Sequence, residues 1–207
     1  MSLSARAPEA RRQLILDAAR EVLRERGFAG ARVTDIARRA GTSSGLVVYH
    51  FGTLSALLAE AVTKVEEDFY ADLERRLGEA ACPAAKLRYC AEFSAEDGRA
   101  LGDWVLWMEI WVQAVRDANA RTTREHLDRR LRETLQGIVE EGRADGTFTC
   151  ADPAATAARL ASLVDGLAVQ LALADPAMDP DRMIRLWLQA AALELGVEVE
   201  VFYRVTR

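Results

Sequence analysis

The sequence predicts an all-α fold, with a small N-terminal helical head of three helices and a larger C-terminal helical body. Three observations predict it. Apolar residues recur at three- and four-residue spacing through most of the 207 residues. Helix starts are written in residue types: Asp152-Pro153 and Asp179-Pro180 each place a capping carboxylate before a proline suited to the first helical position. Glycines such as Gly27, Gly41 and Gly78 stand where the periodic runs stop.

The elements follow in order. Residues 1–8 lack periodicity and include Pro8, so they read as a flexible arm. From Glu9 to Arg26, Ile15, Ala18, Ala19, Val22 and Leu23 mark one helix face, closed by Gly27-Phe28. Residues 29–32 read as a loop. Val33 to Phe51 reads as two short helices and a tight turn. Ile36, Ala37 and Ala40 form the first face, Gly41 permits the left-handed turn, and a hydroxyl among Thr42, Ser43 and Ser44 caps the second helix.

A long helix from Thr53 to about Leu77 buries Leu57, Leu58, Ala61, Val62, Val65, Phe69 and Leu73. Another starts at Pro83, with Leu87, Cys90, Ala91 and Phe93 apolar. Gly98 and Gly102 bracket an expected loop. Asp103 to Arg116 is apolar nearly all round, which predicts a helix at the centre of the body. A charged helix over 120–144 turns Leu127, Leu131, Leu135, Ile138 and Val139 inward and ends in a turn from Gly142 to Gly146. Helices to about Ala174 and Leu195 follow, and the alternating tail VEVEVF after Gly196 is expected to be extended. The domain boundaries expected are 9–52 for the head and 53–196 for the body.

Composition narrows function. The net charge is −5, yet residues 1–59 carry nine arginines against five acids, a net +4, and the remainder a net −9. A basic head on an acidic body suits phosphate binding by the head. No apolar run is long enough to span a membrane and the N-terminus lacks an apolar signal region, so a cytoplasmic protein is expected. Cys82, Cys90 and Cys150 follow no metal-ligand spacing and read as buried reduced thiols. No catalytic cluster, metal site or Gly-rich phosphate loop is present in the pattern, so no enzyme activity and no cofactor is expected.

In the helix-turn-helix, the second helix would enter a DNA major groove end-on. Ser43, Ser44 and Gly45 sit at its start: the hydroxyls can reach a base edge or phosphate, and Gly45 permits close approach. Val47 packs inward and Val48 can touch a thymine methyl. Tyr49 and His50 are placed for phosphates, with Arg12, Arg32, Arg38 and Arg39 as further backbone contacts and Thr34 and Thr42 completing the DNA-facing set.

Ile36-Ala37, Ala40-Gly41, Ser43, Gly45 and Tyr49-His50-Phe51, with Ile15-Leu16-Asp17-Ala18-Ala19 and Gly27-Phe28 upstream, resemble the DNA-binding domain of the TetR family of transcriptional regulators. The resemblance covers residues 11–61. It departs from the family's pattern at Arg32, where a Thr or Ser is usual, and at Leu54, where a Lys is common. In the body, the Trp-rich turns, GIVEEGRADGTF and LVDGLAVQLAL are similar to the betaine-repressor branch. The resemblance implies a ligand-responsive repressor that binds a pseudo-palindromic operator on double-stranded DNA as a homodimer and is released by a small-molecule effector. It also implies a four-helix dimer interface from the last two long helices. The residues that agree are Leu160, Leu163, Gly166, Leu167 and Leu171 on one helix and Ile184, Trp187, Ala191 and Leu195 on the other.

Trp104, Met108 and Trp111 form a stripe with Trp107 beside it, and Glu109 and Gln113 are the polar residues in the middle of that helix. Aromatic walls with few polar groups make ligand pockets, and a nearby carboxylate would favour an organic cation. Phe69, Phe93 and His126 are further ligand-site candidates, although His126 reads equally as solvent-facing. The alternative reading is a helical small-molecule binding or enzyme domain that does not act on DNA; the arginine-rich head argues against it.

Overall fold

The computed structural model describes residues 3–96, 99–115 and 118–204. Their regular structure is helical: α1 Leu3–Gly30, α2 Val33–Arg39, α3 Ser44–Phe51, α4 Leu54–Glu79, α5 Pro83–Ala95, α6 Arg99–Ala114, α7 Ala118–Ala144, α8 Pro153–Ala172 and α9 Pro180–Leu195. A 3-10 turn follows at Val199–Phe202. The chain divides into two units, one ending at Tyr70 and the other beginning at Ala71. This division falls within α4, whereas the boundary expected from the sequence, 52/53, falls just before it. The first four turns of α4 fall with the head, because Leu57, Leu58, Ala61, Val62 and Val65 are buried there.

Within the first unit, α1 begins at Leu3 rather than after an arm, and Pro8 lies inside it. Proline costs a helix one N–H donor, and near the helix start that loss is small. Gly27 (φ 64, ψ −179) breaks α1, as its position suggested. Ile15, Ala19, Val22 and Leu23 from α1 form the core with Ile36, Ala37, Val47 and Phe51. The 3% exposure of Ala37 fits the small side chain that a short helical turn requires at its crossing. Along α4, Tyr70 is buried and Phe69 only half-buried, so the aromatic at the head's end is one position later than periodicity placed it.

In the second unit, α8 packs on α7 and α9, and α5 packs on α9. Asp152 accepts a hydrogen bond from the Ala155 amide (3.0 Å) and Asp179 from that of Arg182 (2.7 Å), so both Asp-Pro starts cap as read. Gly142 lies within α7 rather than after it. A Cβ there would meet the Phe148 ring at 2.1 Å, so only glycine lets Phe148 fold back and bury itself.

Further expectations change. Gly102 lies inside α6, not in a loop, and Gly98 and Arg116 fall outside the described residues. Helix α6 is not the centre of the body: Leu106, Ile110 and Ala114 are buried, while Val112 is 67% and Val115 74% exposed. A helix that is apolar all round can still have only one side covered by its own chain. The tail is helical rather than extended, because Phe202 must turn inward to reach full burial. On α7, Leu135, Ile138 and Val139 are buried and Leu131 half-buried; the Leu127 side chain is outside the described set. Only Cys90 is a fully buried thiol, and burial pushes it up to about 12; Cys82 and Cys150 are half-buried.

Candidate DNA interface and ligand site

The turn between α2 and α3 is built by local chemistry. Gly41 adopts φ +63, where a Cβ would be strained. Ser43 then caps α3, its Oγ accepting from the Leu46 amide at 3.2 Å. Val47 (2% exposed) and Phe51 (8%) hold α3 to the head. The opposite face is open: Val48 is 49% and Tyr49 81% exposed, and Gly45 and Ser43 are exposed beside them. Ser44, Thr42 and His50 are half-buried, the His50 ring standing edge-on to Tyr49 at 5.4 Å. Space around Gly45 is empty apart from Ser43 Oγ at 3.9 Å from an added Cβ, so nothing among the described residues requires glycine there.

The arginines are more committed than their count suggested. Arg39 meets Glu25 with two hydrogen bonds of 2.7 Å and holds that carboxyl below its usual range. Asp35 receives Arg26 at 2.6 Å and Arg38 at 3.3 Å, though Arg38 stays 75% exposed. Arg32 donates to the carbonyls of Ala29 (2.8 Å) and Ala31 (2.9 Å), and it occupies the N-cap of α2 without a side-chain cap bond. Thr34 is exposed in the first turn of α2. Arg12 is paired with Glu60.

In the body, Trp104, Trp107, Met108, Glu109 and Trp111 lie together on α6, all half-buried. The Trp104 indole donates to the Ser94 carbonyl (3.1 Å), and its ring stands 6.5 Å from that of Trp111. The other candidates lie on other helices. Phe93 is buried on α5 with the Arg76 guanidinium 5.0 Å above its ring. His126 is exposed on α7, and Phe69 belongs to the first unit. Sequence reasoning missed Asp165, the single acid in the apolar run LASLVDGLAVQL of α8. Burial pushes its carboxyl up to about 7, the nearby Asp128 adds to the rise, and Arg124 and Arg132 oppose it. Arg124 also pairs with Asp128 at 2.9 Å. Among the described residues, no group of His, Cys, Asp and Glu could hold a metal ion.

The expected dimer residues divide in two. Leu160, Leu167, Leu171, Trp187, Ala191 and Leu195 are buried inside the chain, and the Trp187 indole donates to the Leu160 carbonyl at 2.9 Å. They are core, because α8 and α9 pack on each other and on neighbouring helices through this stripe. Leu163 and Ile184 are half-buried and Gly166 is exposed. The outward faces carry other apolar residues, Leu173 at 68% and Leu193 at 86% exposed.

Comparisons with known proteins agree with this arrangement. Residues 15–61 match the family described as bacterial regulatory proteins, tetR family. Residues 83–196 match the BetI-type transcriptional repressor C-terminal domain. The regulator BetI of Burkholderia mallei is 28% identical over 180 residues, 86% of this chain and 90% of the relative, and that of Burkholderia ambifaria is equally similar. Among solved structures, a regulator from Saccharomonospora viridis in complex with choline superposes with TM-score 0.81 at 24% identity, covering 86% of this chain and 93% of that one. A regulator from Pseudomonas aeruginosa PAO1 gives TM-score 0.75 at 26% identity, covering 96% and 95%. FadR from Bacillus subtilis, in complex with stearoyl-CoA, gives 0.69 at 21% identity, covering 90% and 99%. With an exposed, capped recognition helix in the head and a BetI-type domain over most of the body, this chain belongs to the TetR family of ligand-responsive, DNA-binding transcriptional regulators.

Proposed function

We propose that this regulator is a repressor that binds a pseudo-palindromic operator as a homodimer in the cytoplasm and is released by a small organic cation. The observation that carries the cation is the half-buried tryptophan wall of α6 in a body that also holds the half-buried Asp165. Indole faces attract quaternary ammonium groups, and an acid supplies the counter-charge. Asp165, rather than Glu109 on α6 itself, is assigned this role. The choline complex of the Saccharomonospora viridis regulator supports the same ligand class. For the operator, Ser43, Ser44, Gly45 and Val48 are assigned to base edges, and Tyr49, His50 and Arg38 to phosphates. The boundary 52/53 marks where the DNA-contacting elements end, and it is in this functional sense that we retain it.

Release follows from a population shift, so the effector must bind the released conformation better than the DNA-bound one. Titration of the parent chain with choline, followed by tryptophan emission and by anisotropy of a retained genomic DNA fragment, tests this. Choline should quench emission saturably and weaken DNA binding, while its neutral carbon isostere 3,3-dimethyl-1-butanol does neither. Equal responses to both compounds, or a response only to a long-chain acyl-CoA, would overturn the assignment of a cation.

A further inference from the structure

Arg12 was expected at the DNA, and the structure gives its guanidinium other partners. Nη2 donates to Glu60 Oε2 at 2.5 Å and Nη1 pairs with Oε1, so the two side chains meet as a fork. The same guanidinium lies 4.8 Å from the centroid of the Phe51 ring. Arg12 is on α1, Glu60 on α4, and Phe51 is the last residue of α3. Three helices of the head therefore meet at one charged pair. Eight residues further along, Arg20 pairs with Asp68 at 2.8 Å. Both pairs join residues 48 apart in the chain and in the same order, so α1 and α4 run in the same direction between them. The second pair lies roughly 12 Å along each helix from the first, at 1.5 Å per residue.

Phe51 is where α3 is held. It is 8% exposed, and Gly52 (φ +72) and Thr53 follow at once, so the recognition helix has no further turn with which to anchor itself. Its direction depends on how Val47 and Phe51 seat. A guanidinium held over an aromatic ring by a bidentate carboxylate fixes that seat more narrowly than apolar contact does. We propose that Arg12, held by Glu60 over the Phe51 ring, is a positioning residue that sets the angle of the recognition helix, and not a contact to DNA phosphate.

The two roles give opposite signs for Glu60. If Arg12 served phosphate, Glu60 would be a competing acid and its removal would tighten binding to a polyanion. If Glu60 holds the clamp, its removal weakens specific binding. The test uses the full chain, a duplex selected from random sequences by the parent protein, and a scrambled duplex, with anisotropy read from 50 to 200 mM salt. Glu60→Gln and Arg12→Gln should each weaken the selected duplex about tenfold, the scale of a partly desolvated cation–π contact. Binding to the scrambled duplex should change less than threefold, and the salt slope should match the parent. Circular-dichroism melts fix a temperature at which every variant is folded, and binding is compared there. Tighter binding by Glu60→Gln, or a salt slope reduced by about 0.9 in Arg12→Gln, would overturn the proposal. So would equal losses on both duplexes.

Discussion

Gly45 separates what the fold needs from what the DNA needs. It sits in the first turn of α3, exposed, with open space where a side chain would go. Gly45→Ala should therefore raise helix stability by roughly 0.5–1 kcal/mol, while lowering affinity for operator DNA if the backbone approaches the groove edge closely. Melting curves and anisotropy on the same preparation check both halves. Unchanged DNA affinity with higher stability would mean that α3 does not approach end-on at this residue. At this scale the sequence was informative about backbone and poor about charge. Gly41 and Ser43 could be read because turn and cap chemistry are local, spanning three or four residues. The partners of Arg12 and Arg39 could not, since Glu60 is 48 positions and Glu25 14 positions away. Counting arginines gave a basic head; only the fold shows how many of those charges are already met by carboxylates.

Among the elements, α8 carries the clearest cost. Asp165 stands among apolar residues, and its folded carboxyl titrates at about 7 against an ordinary 3.8. The folded state thus holds a proton between about pH 4 and pH 7 that the unfolded chain has released. Stability from this group is fully present below pH 4 and falls as pH rises to 7, beyond which the loss is complete. Asp165→Asn removes the charge and should raise the melting temperature by several degrees at pH 8.5, at about 2–4 °C per kcal/mol for a chain of this size, and change it little at pH 4. An equal gain at both values would trace the effect to shape rather than ionisation. A loss of choline response in the same variant would connect this acid to the effector. Helix α6 shows the limit of periodicity from the other side. Its composition located the tryptophans correctly, but an apolar circumference does not say which half the chain covers, and burial falls on Leu106, Ile110 and Ala114.

For the whole molecule, the same ambiguity decides where a second copy docks. Helices α8 and α9 are apolar on two sides, and sequence spacing selects mostly the stripe that the chain buries within itself, with Leu163, Gly166 and Ile184 outside it. The outward side carries Gly166 and Val169 on α8, Leu173 just after it, and Leu186, Ala190 and Leu193 on α9, all exposed or half-buried. Two substitutions with identical chemistry distinguish the stripes. Leu160→Arg places an unpaired charge at a site that is 1% exposed and removes a core leucine, a combination that costs more than about 4 kcal/mol. The protomer itself should unfold at lower temperature, and little assembled protein should be recovered. Leu193→Arg puts its charge where the chain leaves the side chain 86% exposed, so the protomer should keep its helicity and its far-ultraviolet spectrum. If that face meets its copy, two new charges are buried against each other across the symmetry axis, and sedimentation should show a folded monomer. Because two recognition helices held at a fixed spacing read two half-sites, this monomer should bind a palindromic duplex weakly, and no better than a duplex carrying one half-site. A Leu193→Arg protein that remains a dimer with parental affinity would move the interface away from α9's outer face. A Leu160→Arg protein that is folded but monomeric would instead return it to the inner stripe.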